Sequence, residues 1–369
     1  MKKSQLALIF LVATLFILGL LMVFNTTSAE VLDKYLEKST HIAFIKQLLY
    51  GIIGLFLAIC IYFWGYEKML DRSSLFFYGL ILLLLLVFVP GIGQEINGSR
   101  RWMHFLGLSL QPSEMAKYLL PLFIIYQNQK KSWPTGGKDF YRMIVLLSIP
   151  LGLILLEPDN GCTFLILATL TFLFLLLRIK PLFWALPLSG LMVIGGVVAS
   201  QLPYVLNRIQ VYLHPEMDLL GRGHQPFQAK IAAGSGGLLG RGFGESMQKL
   251  SYLPEARSDY IAAIFAEEFG FVGMTIFIFI YMCIAFLGFS IASRARDKKG
   301  FYLASVLTFL IAFQAFLNLG VVSGILPSKG IALPFFSQGG TSLITNMVAI
   351  ALILRVAKQE EKETKETLA

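Results

Sequence analysis

Asp259 ends the stretch Leu253-Pro254-Glu255-Ala256-Arg257-Ser258-Asp259, a charged entrance that leads into an apolar helix starting at Tyr260. A carboxylate placed where water, membrane surface and protein meet is expensive to keep unless it has chemical work or a partner. Two more acids, Glu267 and Glu268, follow inside the apolar stretch, about 12 Å of helix rise further on. Neighbouring helical positions diverge by about 100°, so these two do not share a face and at least one must face protein. Structural pairing with cations from another span is the expected role of both. Asp259 also has a structural reading, because Asp and Ser are favoured helix caps. Ser258 can cap in its place, which leaves Asp259 facing the preceding loop.

A second constellation joins Gly98-Ser99-Arg100-Arg101-Trp102 to Gln111-Pro112-Ser113-Glu114-Met115-Ala116-Lys117, where Pro112 or Ser113 opens a helix. Glu114 and Lys117 stand three apart and meet on one helix face, so an internal salt bridge is one reading. In the other, Lys117 with Arg100 or Arg101 neutralises an anionic ligand, arginine being suited to hold pyrophosphate bidentately. Two further turns place polar groups at the ends of apolar runs: Glu157-Pro158-Asp159-Asn160-Gly161, and Leu326-Pro327-Ser328-Lys329-Gly330 through Ser337-Gln338-Gly339-Gly340. Pro, Asn and Gly reverse the backbone in such turns. Their common placement on one side of the chain points to a shared cleft.

The elements that hold these groups are apolar. Of the 369 residues 56% are hydrophobic and 14% charged, against about 25% charged in soluble domains, and the mean hydropathy is +0.70. The chain reads as an all-α polytopic membrane protein. Runs near the roughly 20 residues that cross a hydrocarbon core fall at 6 to 24, 45 to 64, 74 to 90, 110 to 127, 142 to 156, 162 to 178, 181 to 200, 260 to 290, 301 to 323 and 339 to 357. These are about ten transmembrane helices, with one large extracytoplasmic loop, 201 to 259, between the seventh and eighth. Residues 1 to 358 form a single domain and 359 to 369, rich in Glu and Lys, a frayed tail. The first apolar run is longer than the 7 to 15 residues of a signal h-region, which predicts an uncleaved span.

The net charge of +9 comes from short Lys and Arg clusters between spans, which form no basic face for nucleic acid. They put both termini in the cytoplasm by the positive-inside rule and the richer loops outside. A loop as long as 201 to 259 is more often a binding or active-site element than a passive connection. Its glycines lack the Gly-Lys-Ser/Thr ending of a phosphate loop; they read as a flexible or re-entrant segment whose backbone approaches something closely. Cys60, Cys162 and Cys283 have no metal or disulfide spacing and read as buried small hydrophobes. No metal ligand set is predicted.

Gly98 to Trp102, Gln111 to Glu114 with Lys117, Glu157-Pro158-Asp159, Gly236-Gly237-Leu238-Leu239-Gly240, Leu253-Pro254-Glu255 with Asp259, Glu267-Glu268-Phe269-Gly270, and Leu326-Pro327 through Gly339-Gly340 together resemble the SEDS family of bacterial cell-wall proteins, which includes FtsW, RodA and SpoVE. The joint occurrence of these segments, in order, is far more specific than one short motif. The resemblance implies a ten-span fold and a peptidoglycan glycosyltransferase that polymerises lipid II at the outer side of the bacterial cytoplasmic membrane. It also implies a class B penicillin-binding protein and other divisome proteins as partners. Asp259 matches the family's catalytic aspartate, and Arg100, Arg101, Lys117, Glu114, Glu255 and Lys329 become candidates for contacting pyrophosphate or sugar. Glu267, Glu268 and Asp159 are expected to be structural. No cofactor is implied, although a divalent cation such as Mg is compatible with the chemistry.

The run Gly240 to Lys249 leading into Tyr252 to Ala256 looks more like the division member than the elongation member, which predicts a place at the septum. Arg257-Ser258 replaces the His-Thr usual before the aspartate, and a guanidinium beside Asp259 favours its charged form. An elongation polymerase, a lipid II translocase and a non-catalytic scaffold are the competing readings. A translocase needs polar groups along a mid-membrane path, whereas the charges here gather at outer span ends.

Overall fold

The computed structural model describes residues 3–34, 41–96, 99–105, 107–131, 137–186, 188–190, 210, 212–213, 218, 223–250, 253 and 256–366. In chain order these form α1 (Lys3–Lys34), α2 (Ile42–Trp64), α3 (Tyr66–Asp71), α4 (Ser73–Val87), β1 (Gly93–Ile96), β2 (Ser99–Phe105), β3 (Leu108–Leu110), α5 (Pro112–Lys131), α6 (Lys138–Leu156), α7 (Asn160–Leu176), α8 (His224–Ser235), α9 (Ile261–Ser293), α10 (Lys298–Val322) and α11 (Gly340–Glu366). Among the described residues α1, α2, α6, α9, α10 and α11 are long and apolar enough to cross a membrane, and α4 and α7 are shorter apolar helices. The chain is a multi-pass membrane protein. Of the spans expected from sequence, only 181 to 200 falls largely outside the described residues.

The helices pack by burial of one stripe each and leave broad apolar faces to lipid, as membrane helices do. α10 is the most enclosed of the spans, and its inner positions Leu303, Leu307, Leu310 and Ile311 are almost fully buried. α2 and α11 come close enough for Gly340 to lie against the ring of Tyr50, where a Cβ would collide with it. All three cysteines are free, but only Cys162 is buried; Cys60 faces outward from α2, contrary to expectation.

Three features depart from the sequence reading. The loop 91 to 109 folds as a three-stranded antiparallel sheet, β1-β2-β3, so the fold is not purely helical. Tyr50 ties this sheet to α2, its hydroxyl accepting from the Ser109 amide at 2.6 Å. The tail expected to fray after residue 358 continues as helix to Glu366, since Glu, Lys and Gln are good helix formers even where they cannot pack. The long loop before α9 contains α8, and its glycine-rich centre docks by main chain onto a break in α9.

That break is at Gly270, with φ 65° and ψ −164°, a conformation open essentially to glycine alone. The interrupted helix frees backbone groups that the loop satisfies. Arg241 and Gly242 donate amides to the carbonyls of Glu267 and Glu268, and Phe271 and Val272 donate theirs to Gly237 and Leu238, at 2.9–3.1 Å. A Cβ on Gly236, Gly240 or Gly270 would run into the facing backbone. Backbone-to-backbone approach is therefore what these glycines serve.

Candidate active site

Asp259 lies one residue ahead of the α9 N-cap, Tyr260, whose own side chain makes no capping hydrogen bond. Its residue is partly exposed. Its backbone carbonyl accepts from Asn318 Nδ2 at 2.9 Å, and the same amide donates to Ile331 O at 2.8 Å. Tyr260 pairs its hydroxyl with that of Ser328 at 2.7 Å, and the Gln338 amide donates to Arg257 O at 3.0 Å. The segment is thus pinned to the turn 326 to 338. A methyl built on Gly330 would stand 3.1 Å from Asp259 Oδ2.

The Glu-Pro-Asp turn reaches the same place. A Cβ on Gly161 would meet Ile331 Cγ1 at 3.2 Å, Gly330 O at 3.5 Å and Asp159 Oδ1 at 3.8 Å. The turns 157 to 161, 257 to 260 and 326 to 338 therefore converge. Asp159, buried, caps α7 by accepting from the Cys162 amide at 3.1 Å and takes hydrogen bonds from Gln111 Nε2 and Ser113 Oγ at 3.0 and 2.9 Å. It ties the start of α7 to the start of α5. Lys329, on the opposite turn, holds its ammonium over the Phe164 ring at 4.3 Å from the centroid, and burial lowers its pKa.

The paired arginines separate. Consecutive strand residues point to opposite faces, and on β2 this sends Arg101 inward and Arg100 outward. Arg101 Nε donates to Glu157 O at 3.1 Å, and its Nη2 donates to Pro158 O at 2.9 Å and to Ser99 Oγ at 3.1 Å. It clamps the Glu-Pro-Asp turn. Arg100 pairs with Glu95 at 3.1 Å with about half of each side chain exposed, an arrangement of little energetic weight. The two guanidiniums cannot grip one pyrophosphate together in this arrangement.

Lys117 and Glu114 form the internal salt bridge, 2.7 Å long with Lys117 only 1% exposed. Lys117 also donates to Gln314 Oε1 at 3.1 Å, and Gln314 in turn donates to Ala332 O at 2.7 Å. A ligand would have to displace Glu114 to reach this ammonium. Glu267 and Glu268 find partners in the outer loop rather than in another span's cations. Glu267 accepts from Ser246 Oγ and the Met247 amide and lies 3.6 Å from Arg241 Nη1. Glu268 pairs with Lys249 at 3.0 Å and accepts from Asn25 Nδ2 at 2.8 Å. Glu255 lies outside the described residues.

Sequence reading passed over Gln314 and Asn318 and named Ser328 only as part of its turn; the three hold the site's turns together. An amide inside an apolar run, as at Gln314 and Asn318, is the signal that could have found them. It named Glu157 only within its turn, without a role for its carboxyl, whose two oxygens are buried without a hydrogen-bond partner. Burial pushes this carboxyl up to about 8 from 4.5, Asp159 adding to the rise and Arg101 opposing it. The folded state then holds a proton that the unfolded chain releases, so stability is full below pH 4.5 and declines as pH rises toward 8. Glu157→Gln should flatten that decline, melting above wild type at pH values past 8 and close to it near 4.5. Thermal unfolding in detergent across this range checks it; parallel curves for the two proteins would remove Glu157 as the cause.

Among the described residues no cluster of three His, Cys, Asp or Glu side chains is arranged to hold a metal. The site instead offers one partly exposed carboxylate and a half-buried cation on adjoining turns, with a buried polar framework behind them. That set can take a proton and stabilise a developing negative charge.

The family model described as "Cell cycle protein", covering FtsW, RodA and SpoVE, matches residues 5–362. A relative from Coxiella burnetii, named "Probable peptidoglycan glycosyltransferase FtsW", is 36% identical over 94% of this chain and 94% of its own. "Stage V sporulation protein E" of Bacillus subtilis is 34% identical, with 97% and 98% covered. Among solved structures, a chain from a study of polymerization and crosslinking by a peptidoglycan synthase complex superposes with TM-score 0.74 at 27% identity, covering 96% of this chain and 97% of that one. The Rod shape determining protein RodA of Thermus thermophilus gives TM-score 0.67 at 25% identity, with 96% of each chain covered. With most of its length matched in sequence and in fold, the chain belongs to the FtsW/RodA/SpoVE family, the SEDS proteins.

Proposed function

We propose that this protein is a peptidoglycan glycosyltransferase of the FtsW type, polymerising lipid II into glycan strands during septal wall synthesis. The observation that carries the reading is the partly exposed Asp259, fixed by Asn318 and its neighbours where three outer turns converge. The 4-hydroxyl of the acceptor sugar attacks the anomeric carbon of the donor and gives its proton to the Asp259 carboxylate. The bond from that carbon to the phosphate oxygen breaks, and undecaprenyl diphosphate leaves with the electron pair. Lys329, a cation beside the same turn, is placed to offset the negative charge of the departing pyrophosphate. Arg101 serves by holding the Glu-Pro-Asp turn, and Lys117 with Glu114 by stiffening the floor.

The protein sits in the bacterial cytoplasmic membrane with both termini inside, in keeping with the positive-inside rule, and acts at the septum with a class B penicillin-binding protein and other divisome proteins. The intramembrane acids and bases Glu114, Lys117, Glu267 and Glu268 are taken up in ion pairs, which favours polymerisation over translocation. The scheme uses no organic cofactor; chelation by EDTA tests whether a divalent cation such as Mg assists the leaving group. The deciding experiment supplies fluorescent lipid II to the purified protein together with its class B partner, with the transpeptidase blocked. Glycan strands are expected on a gel, and a demonstrably assembled complex that makes none would overturn the assignment.

A further inference from the structure

A groove of about 600 Å³ runs between α1, α2 and α11, sharing no lining residue with the turns around Asp259 and lined almost wholly by apolar side chains. Its lining spans Leu48 to Phe63 on α2, about 22 Å of helix rise, and small residues such as Gly51, Ala58 and Ala351 keep it open. One end is not apolar. Gln5 lines it there and is 2% exposed, yet its amide nitrogen has no hydrogen-bond partner. A buried amide donor left unmatched is costly, so this one implies an acceptor supplied from outside the chain. Tyr62 and Phe63 line the same end, and the Lys358 ammonium lies over their rings, 5.1 and 6.0 Å from the centroids.

We propose that this groove binds a phospholipid with an acidic headgroup, taken from the leaflet at the end of the bundle that carries both termini. An acyl chain lies along the apolar walls, and the headgroup phosphate accepts from the Gln5 amide and faces the Lys358 ammonium. Bulk lipid would cover the walls, but it gives no reason for a buried donor and a cation to be placed at the same end. Basic residues at the ends of neighbouring spans are a recurrent way of holding acidic lipid. The site is separate from the reaction centre and does not depend on the proposed activity.

The test is native mass spectrometry of the full chain, purified and reconstituted with either phosphatidylglycerol or phosphatidylcholine. Wild type should retain phosphatidylglycerol in preference to phosphatidylcholine. Lys358→Gln should lower that preference about fivefold, the share of one interfacial cation, and Gln5→Leu should weaken retention of both lipids, each of which carries a phosphate to accept from the amide, while the protein melts at the wild-type temperature. Equal retention of the two lipids by wild type would overturn the proposal. A preference for the acidic lipid that Lys358→Gln keeps in full, or retention of both lipids unchanged by Gln5→Leu, would do so as well, by placing the source of binding elsewhere on the surface.

Discussion

Asp259→Asn is expected to slow lipid II polymerisation by about 10² to 10⁴-fold, the usual contribution of a positioned general base. The amide matches the carboxylate in shape and leaves untouched the hydrogen bond that Asn318 donates to the backbone carbonyl, so the loss should be one of chemistry rather than of folding. The comparison is therefore made at equal melting temperature and equal assembly with the partner synthase, by strand formation from fluorescent lipid II. The effect should fall on turnover more than on lipid II affinity, because the proton is transferred only as the bond forms. A variant that polymerises at the wild-type rate would take the base away from Asp259.

Lys249→Ala should destabilise the protein by about 3–5 kcal/mol, the cost of stranding one member of a buried ion pair. Lys249 is 7% exposed at its side chain and Glu268 is fully buried, 3.0 Å apart. Lys249 also donates to Asn25 Oδ1 at 2.7 Å and to the Gly244 carbonyl. Removing it leaves the Glu268 carboxylate with Asn25 alone. The double variant Lys249→Ala/Glu268→Ala should lose less than the sum of the single changes, because each single change already breaks the shared interaction. Thermal or denaturant unfolding in detergent measures both. Additive losses would mean that the pair contributes no coupling and that the loop 241 to 249 is held by its backbone contacts with α9.

The long apolar helices α1, α2, α6, α9, α10 and α11 were legible because a membrane imposes length and apolarity on each one, and both can be read residue by residue. The Glu114–Lys117 bridge and the Asp159 turn were legible for a related reason: their partners lie close in sequence, within a turn of helix or a tight reversal. Asp259 stood out as a charge at the mouth of an apolar run. What escaped notice depends on distant partners. The strands of the small sheet are short, three residues in β3, and the pairing of β1 with β2 shifts register between Gln94 and Glu95, so alternation had little length in which to show itself. Arg100 and Arg101 read alike until the strand put them on opposite faces. The glycines 236 to 240 read as loose chain because the helix break that they dock against lies about thirty residues further on, at Gly270, and nothing nearby in sequence announces it.

The hydrogen bond from Asn25 to Glu268 spans 243 residues of chain. At synthesis rates of roughly 5 to 20 residues per second, Asn25 enters the membrane region something like ten to fifty seconds before its acceptor exists. Through that interval the Asn25 amide must find temporary company in water, lipid headgroups or an insertion factor, although Phe24 beside it already has His41 and Phe44 to pack against. The first helix to be made is thus held by two sets of contacts of very different age, an early one with α2 and a late one with α9.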